Sequence, residues 1–129
     1  MPGRIDARLA ELGIDLPQPP KPAASYVPTV RAGGLLYVSG QVPLGPDGLV
    51  VGKLGRDMEV EAGQAAARLC GLALIAQVRA ATGDLDKVRR VVKLTGFVNS
   101  APDFGDQPKV VNGCSDLMAE VFGEEIGAH

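Results

Sequence analysis

The run Leu35-Leu36-Tyr37-Val38-Ser39-Gly40-Gln41 passes abruptly from apolar to polar and opens onto a turn-rich stretch, Pro43 to Gly48. A buried strand that stops there leaves a small hydroxyl, Ser39, and the backbone donors around Gly40 at the rim of a sheet. Such a rim suits a small anion or carbonyl compound. The same residues also suit a strand end whose polar groups satisfy a turn. Tyr26 reads either as an aromatic wall with a hydroxyl donor or as a half-buried strand residue. Asn112 and Ser115 lie near the Cys114 face of a helix-like stretch and read chiefly as helix surface.

Other chemistry is thin. Arg89 and Lys93 share one face of an expected strand, where they either hold a carboxylate or protect an edge by charge. Glu59 and Glu61 stand two apart on a helix and face different sides, so they make a poor catalytic pair. Asp84, Asp86, Asp103 and Asp106 sit beside turns, and no ligand cluster accompanies them, so no metal site is expected. Cys70 and Cys114 lie far apart in helix-like segments and read as small buried thiols. His129 is the only histidine and the last residue, which sets aside a histidine triad and predicts a mobile tail. The 17 glycines form no dinucleotide fingerprint, phosphate loop or nucleophile elbow.

The 129 residues suit one domain, and 46% hydrophobic content allows a real core. With aromatics at 4% and no tryptophan, that core rests on Val, Leu, Ala and Ile. The net charge of −2 and the absence of a basic block argue against nucleic acid. The apolar stretch Leu69 to Val78 is too short to span a bilayer, so no membrane partner is expected and the cytoplasm is the default location.

Several elements must position these residues. A short helix over Ile5 to Leu12 ends at Gly13, and four prolines between Leu16 and Pro22 impose an extended connector. Tyr26 to Arg31 and Leu35 to Ser39 read as a hairpin turned at Gly33-Gly34. Leu49 to Val51 adds a short strand. A long helix capped by Asp57 ends at Gly83, with Ala66, Leu69, Ala73, Ala76 and Ala80 at helical spacing. Val88 to Val98 is expected as the strongest strand, with Val92, Leu94, Gly96 and Val98 on one face. A second helix starts at Asp106 or Gln107, accepts Pro108 in its first turn, buries Val110, Cys114, Leu117 and Val121, and stops at Gly123. Glu124 to His129 reads as a polar tail. The class is α+β, with two helices packed on one face of a sheet. The second helix feeds no further strand, so the final strands of such a domain are expected to be absent.

From Ala24 to Phe122 the chain resembles the YjgF-like (RidA) superfamily of reactive-intermediate deaminases. The resemblance rests on Tyr26, on Gly34 to Leu44, on Gln64-Ala65-Ala66, and on Gly83 to Val88 leading into Val92 to Asn99. It implies a chorismate-mutase-like fold across residues 1–129, with residues 1–23 as an N-terminal extension of short helix and Pro-rich connector. It also implies a homotrimer with clefts at subunit boundaries and a small carboxylate-bearing metabolite as ligand. Members hydrolyse 2-imino and enamino acids to 2-oxo acids and ammonia without a cofactor. By similarity Tyr26, Ser39, Gly40 and Asn99 are the ligand-binding residues. The carboxylate-binding arginine and water-positioning glutamate of active members match no residue up to His129, so the catalytic residues are not assigned. A small-metabolite binding or regulatory module is the alternative to catalysis. Ala24-Ser25 stand where the family usually has Gly-Pro.

Overall fold

The computed structural model describes residues 3–22 and 24–129, so both ends of the expected 1–23 extension lie outside the described residues. Helix α1 spans Arg4–Glu11. Its N-cap residue, Gly3, has no side chain to receive the free amides of the first turn, and a distant residue does so instead. The Asp86 carboxylate accepts from the N–H groups of Arg4 and Ile5, each at 2.9 Å. Ile5 and Leu9, one turn apart, are both buried and turn α1 towards the core. Gly13, at φ +68°, lets the chain leave the helix. The proline connector is then fastened by the buried Gln77, whose amide donates to the Pro20 carbonyl at 2.7 Å.

Strands β1 (Thr29–Ala32) and β2 (Leu35–Val38) form the expected antiparallel hairpin, turned at Gly33. The first strand is shorter than its predicted start at Tyr26. Pro28 has no N–H to give, although its carbonyl still accepts from Ser39 N–H at 2.9 Å. The expected strand Leu49 to Val51 reduces to a two-residue arm. Strands β3 (Leu44–Gly45) and β4 (Gly48–Leu49) pair as a second small hairpin.

Helix α2 runs Val60–Thr82 and ends on Gly83 at φ +75°, as its sequence predicts. Its cap is different. The Asp57 carboxylate accepts from Lys53 N–H and closes the turn ahead of the helix, and Glu59 takes the N-cap position. By length and composition alone α2 is long and apolar enough to cross a bilayer, a test that a packed core helix also passes. Its apolar surface has a partner, however, because it packs on α3 (Gln107–Phe122). The two approach through glycines. Gly71 faces Leu117 and Cys114, and Gly113 lies directly against the Gln64 backbone. The stripe Val110, Cys114, Leu117, Val121 is buried as predicted, together with Met118 and Phe122. Leu85, in a short 3-10 turn Leu85–Lys87, and Ile75 complete the core with Ile5 and Leu9. Burying each such aliphatic side chain contributes about 1.5–3 kcal/mol before entropy.

The main correction concerns Val88 to Val98. The segment forms no regular element and pairs with no strand among the described residues. Among the described residues its backbone is hydrogen-bonded to other segments only near its ends. Val91 N–H donates to the Ile126 carbonyl at 2.8 Å, and Leu54 N–H donates to the Asn99 carbonyl at 2.9 Å. The expected two-residue alternation also fails over part of its length. Val88, Val91 and Leu94 all pack towards the core. The three-residue steps shift the phase by one residue, which a regular pleat cannot do. From Leu94 onward the period of two returns, with Gly96 against Val111. The tail is also more ordered than predicted. Helix α4 (Glu124–Gly127) follows Gly123, and Gly127 is buried against Met118 and Ala119.

Candidate functional site

Hairpin register places the candidate residues. Thr29 pairs with Val38, and the Ser39 to Pro28 bond continues the ladder one step past the strands. Tyr26 lies beyond this point in a stretch of bends, with its N–H donating to the Ala24 carbonyl, and no hydrogen bond joins it to Ser39, Gly40 or Gln41 among the described residues. Tyr26 is 47% exposed and Gly40 is exposed, while Ser39 is half-buried. The Gln41 amide folds back and donates to the Ser39 carbonyl at 3.1 Å, with the Ser39 hydroxyl at 3.5 Å. The second contact is long, so the hydroxyl keeps most of its hydrogen-bonding capacity. This end of the hairpin therefore offers the Ser39 hydroxyl and open backbone at Gly40, with the exposed Tyr26 in the segment that leads into β1.

Asn99 is used differently. Its amide donates to the Gly52 carbonyl at 2.8 Å, and its own carbonyl accepts from Leu54 N–H. Ala101 N–H then donates to the Leu54 carbonyl at 2.8 Å. Three bonds lock residues 52–54 onto the end of the 88–98 segment. No hydrogen bond joins Asn99 to Tyr26 or Ser39 among the described residues. Asn99 thus acts here as a clamp for the loop that follows β4.

One polar cluster was missed from sequence. His129 is docked, not free. Its Nδ1 lies 2.8 Å from the Gly127 carbonyl and its Nε2 lies 2.9 Å from the Ser115 hydroxyl. A carbonyl only accepts, so in the neutral ring Nδ1 carries the proton and Nε2 accepts from Ser115. Arg90 Nε donates to the Ala128 carbonyl at 2.8 Å and holds the same tail. Ser115 lies inside α3, where backbone amides are spent on helix bonds. No oxyanion donor is offered there, and the arrangement serves as a tether. A sequence signal existed: Gly123 followed by two glutamates is the start pattern of a short helix.

The cysteines are free, and burial pushes both thiols up. Cys114 reaches about 11, first through burial and then through the neighbouring Cys70. Neither is an activated nucleophile. Among the described residues no group of three or more His, Cys, Asp or Glu is placed to hold a metal ion. A groove of about 550 Å³ lies between α1 and the end of α3, lined by Arg4, Arg8, Glu11, Glu120 and Glu124 among others. It contains none of Tyr26, Ser39, Gly40 or Asn99.

Residues 6–129 match the model of a family described as "YjgF/chorismate mutase-like, putative endoribonuclease". The chain belongs to this family. Its mixed α+β architecture, with a small sheet and packed helices, is that of the YjgF-like fold. "Protein TCP17" of Trypanosoma cruzi is 52% identical over 128 residues, covering 98% of this chain and 80% of the relative. A crystal structure of a protein of unknown function from Agrobacterium tumefaciens is 50% identical with a TM-score of 0.85, covering 97% of this chain and 77% of that one. A crystal structure described as "a putative endoribonuclease" from Shewanella oneidensis is 36% identical with a TM-score of 0.93, covering 98% and 84%.

Proposed function

We propose that this protein binds small imino or enamino acids at the open end of the hairpin and hydrolyses them to 2-oxo acids and ammonia. What supports the reading is membership of the YjgF-like family together with an exposed Tyr26, an exposed Gly40 and a half-buried Ser39 around the open end of the β1–β2 hairpin. Tyr26 and Ser39 orient the ligand, and a held water attacks the imine carbon. Positioning and charge stabilisation of this kind supply several kcal/mol of a barrier. The rim is open in a single subunit, so a neighbouring copy in a homotrimer supplies the remaining wall and the carboxylate anchor is left unassigned. No cofactor enters this mechanism.

The test is ammonia release from imines generated in situ from several amino acids. Release above the spontaneous rate, lost in Tyr26→Ala and Ser39→Ala, supports the reading. Spontaneous rates across all side chains overturn it. The rim has donors but no paired acid and base, and this favours a second reading, a metabolite-binding module. Saturable binding of a 2-oxo acid without turnover would select it. The endoribonuclease description of the Shewanella relative is not favoured by the net charge of −2 and the lack of a basic block in this chain.

A further inference from the structure

Ser39 is held from two sides. Its N–H donates to the Pro28 carbonyl at 2.9 Å, one step past the paired residues of β1 and β2. Its carbonyl accepts from the Gln41 side-chain amide at 3.1 Å. A carbonyl only accepts, so the nitrogen of that amide, and not its oxygen, faces residue 39. The same nitrogen lies 3.5 Å from the Ser39 hydroxyl oxygen. Ser39 and Gln41 are both half-buried, so water contests these contacts only in part.

The polarity of the second contact has a chemical consequence. An amide nitrogen carries two donors and no acceptor. The hydroxyl can meet it only through a lone pair, and its own hydrogen must point elsewhere. At 3.5 Å the contact is weak, so it biases the hydroxyl without consuming it. Among the described residues no other hydrogen bond reaches the Ser39 hydroxyl. Ser39 therefore meets a ligand as a donor. In an ionised 2-imino or 2-oxo acid the strongest acceptor is the carboxylate. A protonated imine nitrogen offers only N–H and is the wrong partner.

We propose that Gln41 is a positioning residue: its side-chain amide fixes Ser39 and turns the hydroxyl outward, as a donor to the carboxylate of the bound acid. The inference rests on the reading of this hairpin end as the ligand site. It adds a neutral donor to the carboxylate subsite, whose charged anchor is unassigned. The role requires no contact between Gln41 and the reacting atoms.

Binding of 2-oxobutanoate to the protein, followed by calorimetry, tests this alongside KM and kcat for imine hydrolysis. Gln41→Met keeps the side-chain length but has no donor. It should weaken binding and raise KM about fivefold, with kcat within about twofold. In a Ser39→Ala background the same change should cost less than about twofold, because no hydroxyl is left to turn. Gln41→Glu supplies a pH readout. Near neutral pH its carboxylate accepts from the Ser39 hydroxyl and turns it inward, so binding should fall about fivefold or more relative to the unsubstituted protein. Below the ordinary glutamate pKa of about 4.3 the protonated carboxyl donates again, and binding should return to within about twofold of that protein at the same pH. One folded chain is read in both protonation states, so this comparison decides the matter where Gln41→Met impairs folding. Equal losses for Gln41→Met with and without the Ser39 hydroxyl overturn the proposal, as does Gln41→Glu binding that fails to recover in acid. An unsubstituted protein that binds and turns over normally while Gln41→Met is indifferent overturns it alone. An unsubstituted protein that neither binds 2-oxobutanoate nor hydrolyses the imine overturns the ligand-site reading and this proposal together.

Discussion

At the scale of single residues, the tightest constraint is where α2 meets α3. A Cβ added at Gly113 would fall onto the Gln64 carbonyl, which is backbone and does not yield as a side chain end would. Gly113→Ala should therefore destabilise the fold by about 1–3 kcal/mol or more, read as a lower urea midpoint. Leu117, with 0% exposure, belongs to the same seam. Cys114 gives a second residue-scale prediction. With its thiol pushed up to about 11, its thiolate fraction at pH 8 is roughly one in a thousand. Alkylation of Cys114 in the native protein should be far slower than in urea, followed by mass spectrometry. Rapid native labelling would contradict the burial assigned to it.

At the scale of elements, α1 is held by chemistry that its own sequence lacks. Gly3 cannot cap it, so Asp86 does, and the two backbone donors hold the Asp86 carboxyl below its ordinary value. A folded-state value below the unfolded one means the stabilisation is present above the unfolded pKa and is lost as pH falls through the folded one. The protection factors of the α1 amides, corrected for the intrinsic exchange rate at each pH, should thus be high at neutral pH and fall in acid below the normal carboxylate range. Asp86→Asn should flatten this acid dependence, measured by hydrogen exchange of the α1 amides. The same logic explains why Asp57 was misread as the α2 cap. An aspartate before a helix has several amides within reach, and here Lys53 N–H is the one it takes.

At the scale of the whole molecule, the sheet side is apolar and open. Val30, Tyr37, Val92 and Phe97 are exposed, Phe97 at 94%. Val30 and Tyr37 are cross-strand partners and form one exposed apolar patch, which marks an interaction face. Tyr37→Asp should leave the stability of an isolated chain within about 0.5 kcal/mol. In the proposed trimer it should lower the assembled mass seen by light scattering. An unchanged mass would separate that face from subunit contact.

The positions of α1, α2 and α3, the buried stripe of α3, the β1–β2 hairpin and the α+β class were all legible in the sequence. Each follows from local spacing, from glycine stops and from a turn that needs positive φ. The end of β2 just before Ser39 and Gly40 was legible for the same reason, since an apolar run that ends on small polar residues marks a strand end. Three features were decided by tertiary structure alone. Val88 to Val98 has strand composition but lacks pairing, because a strand is defined by a partner that its own residues cannot supply. Asn99 spends its amide on Gly52, and His129 docks on Ser115, because hydrogen bonds between residues distant in sequence depend on where the chain returns, which no local pattern encodes.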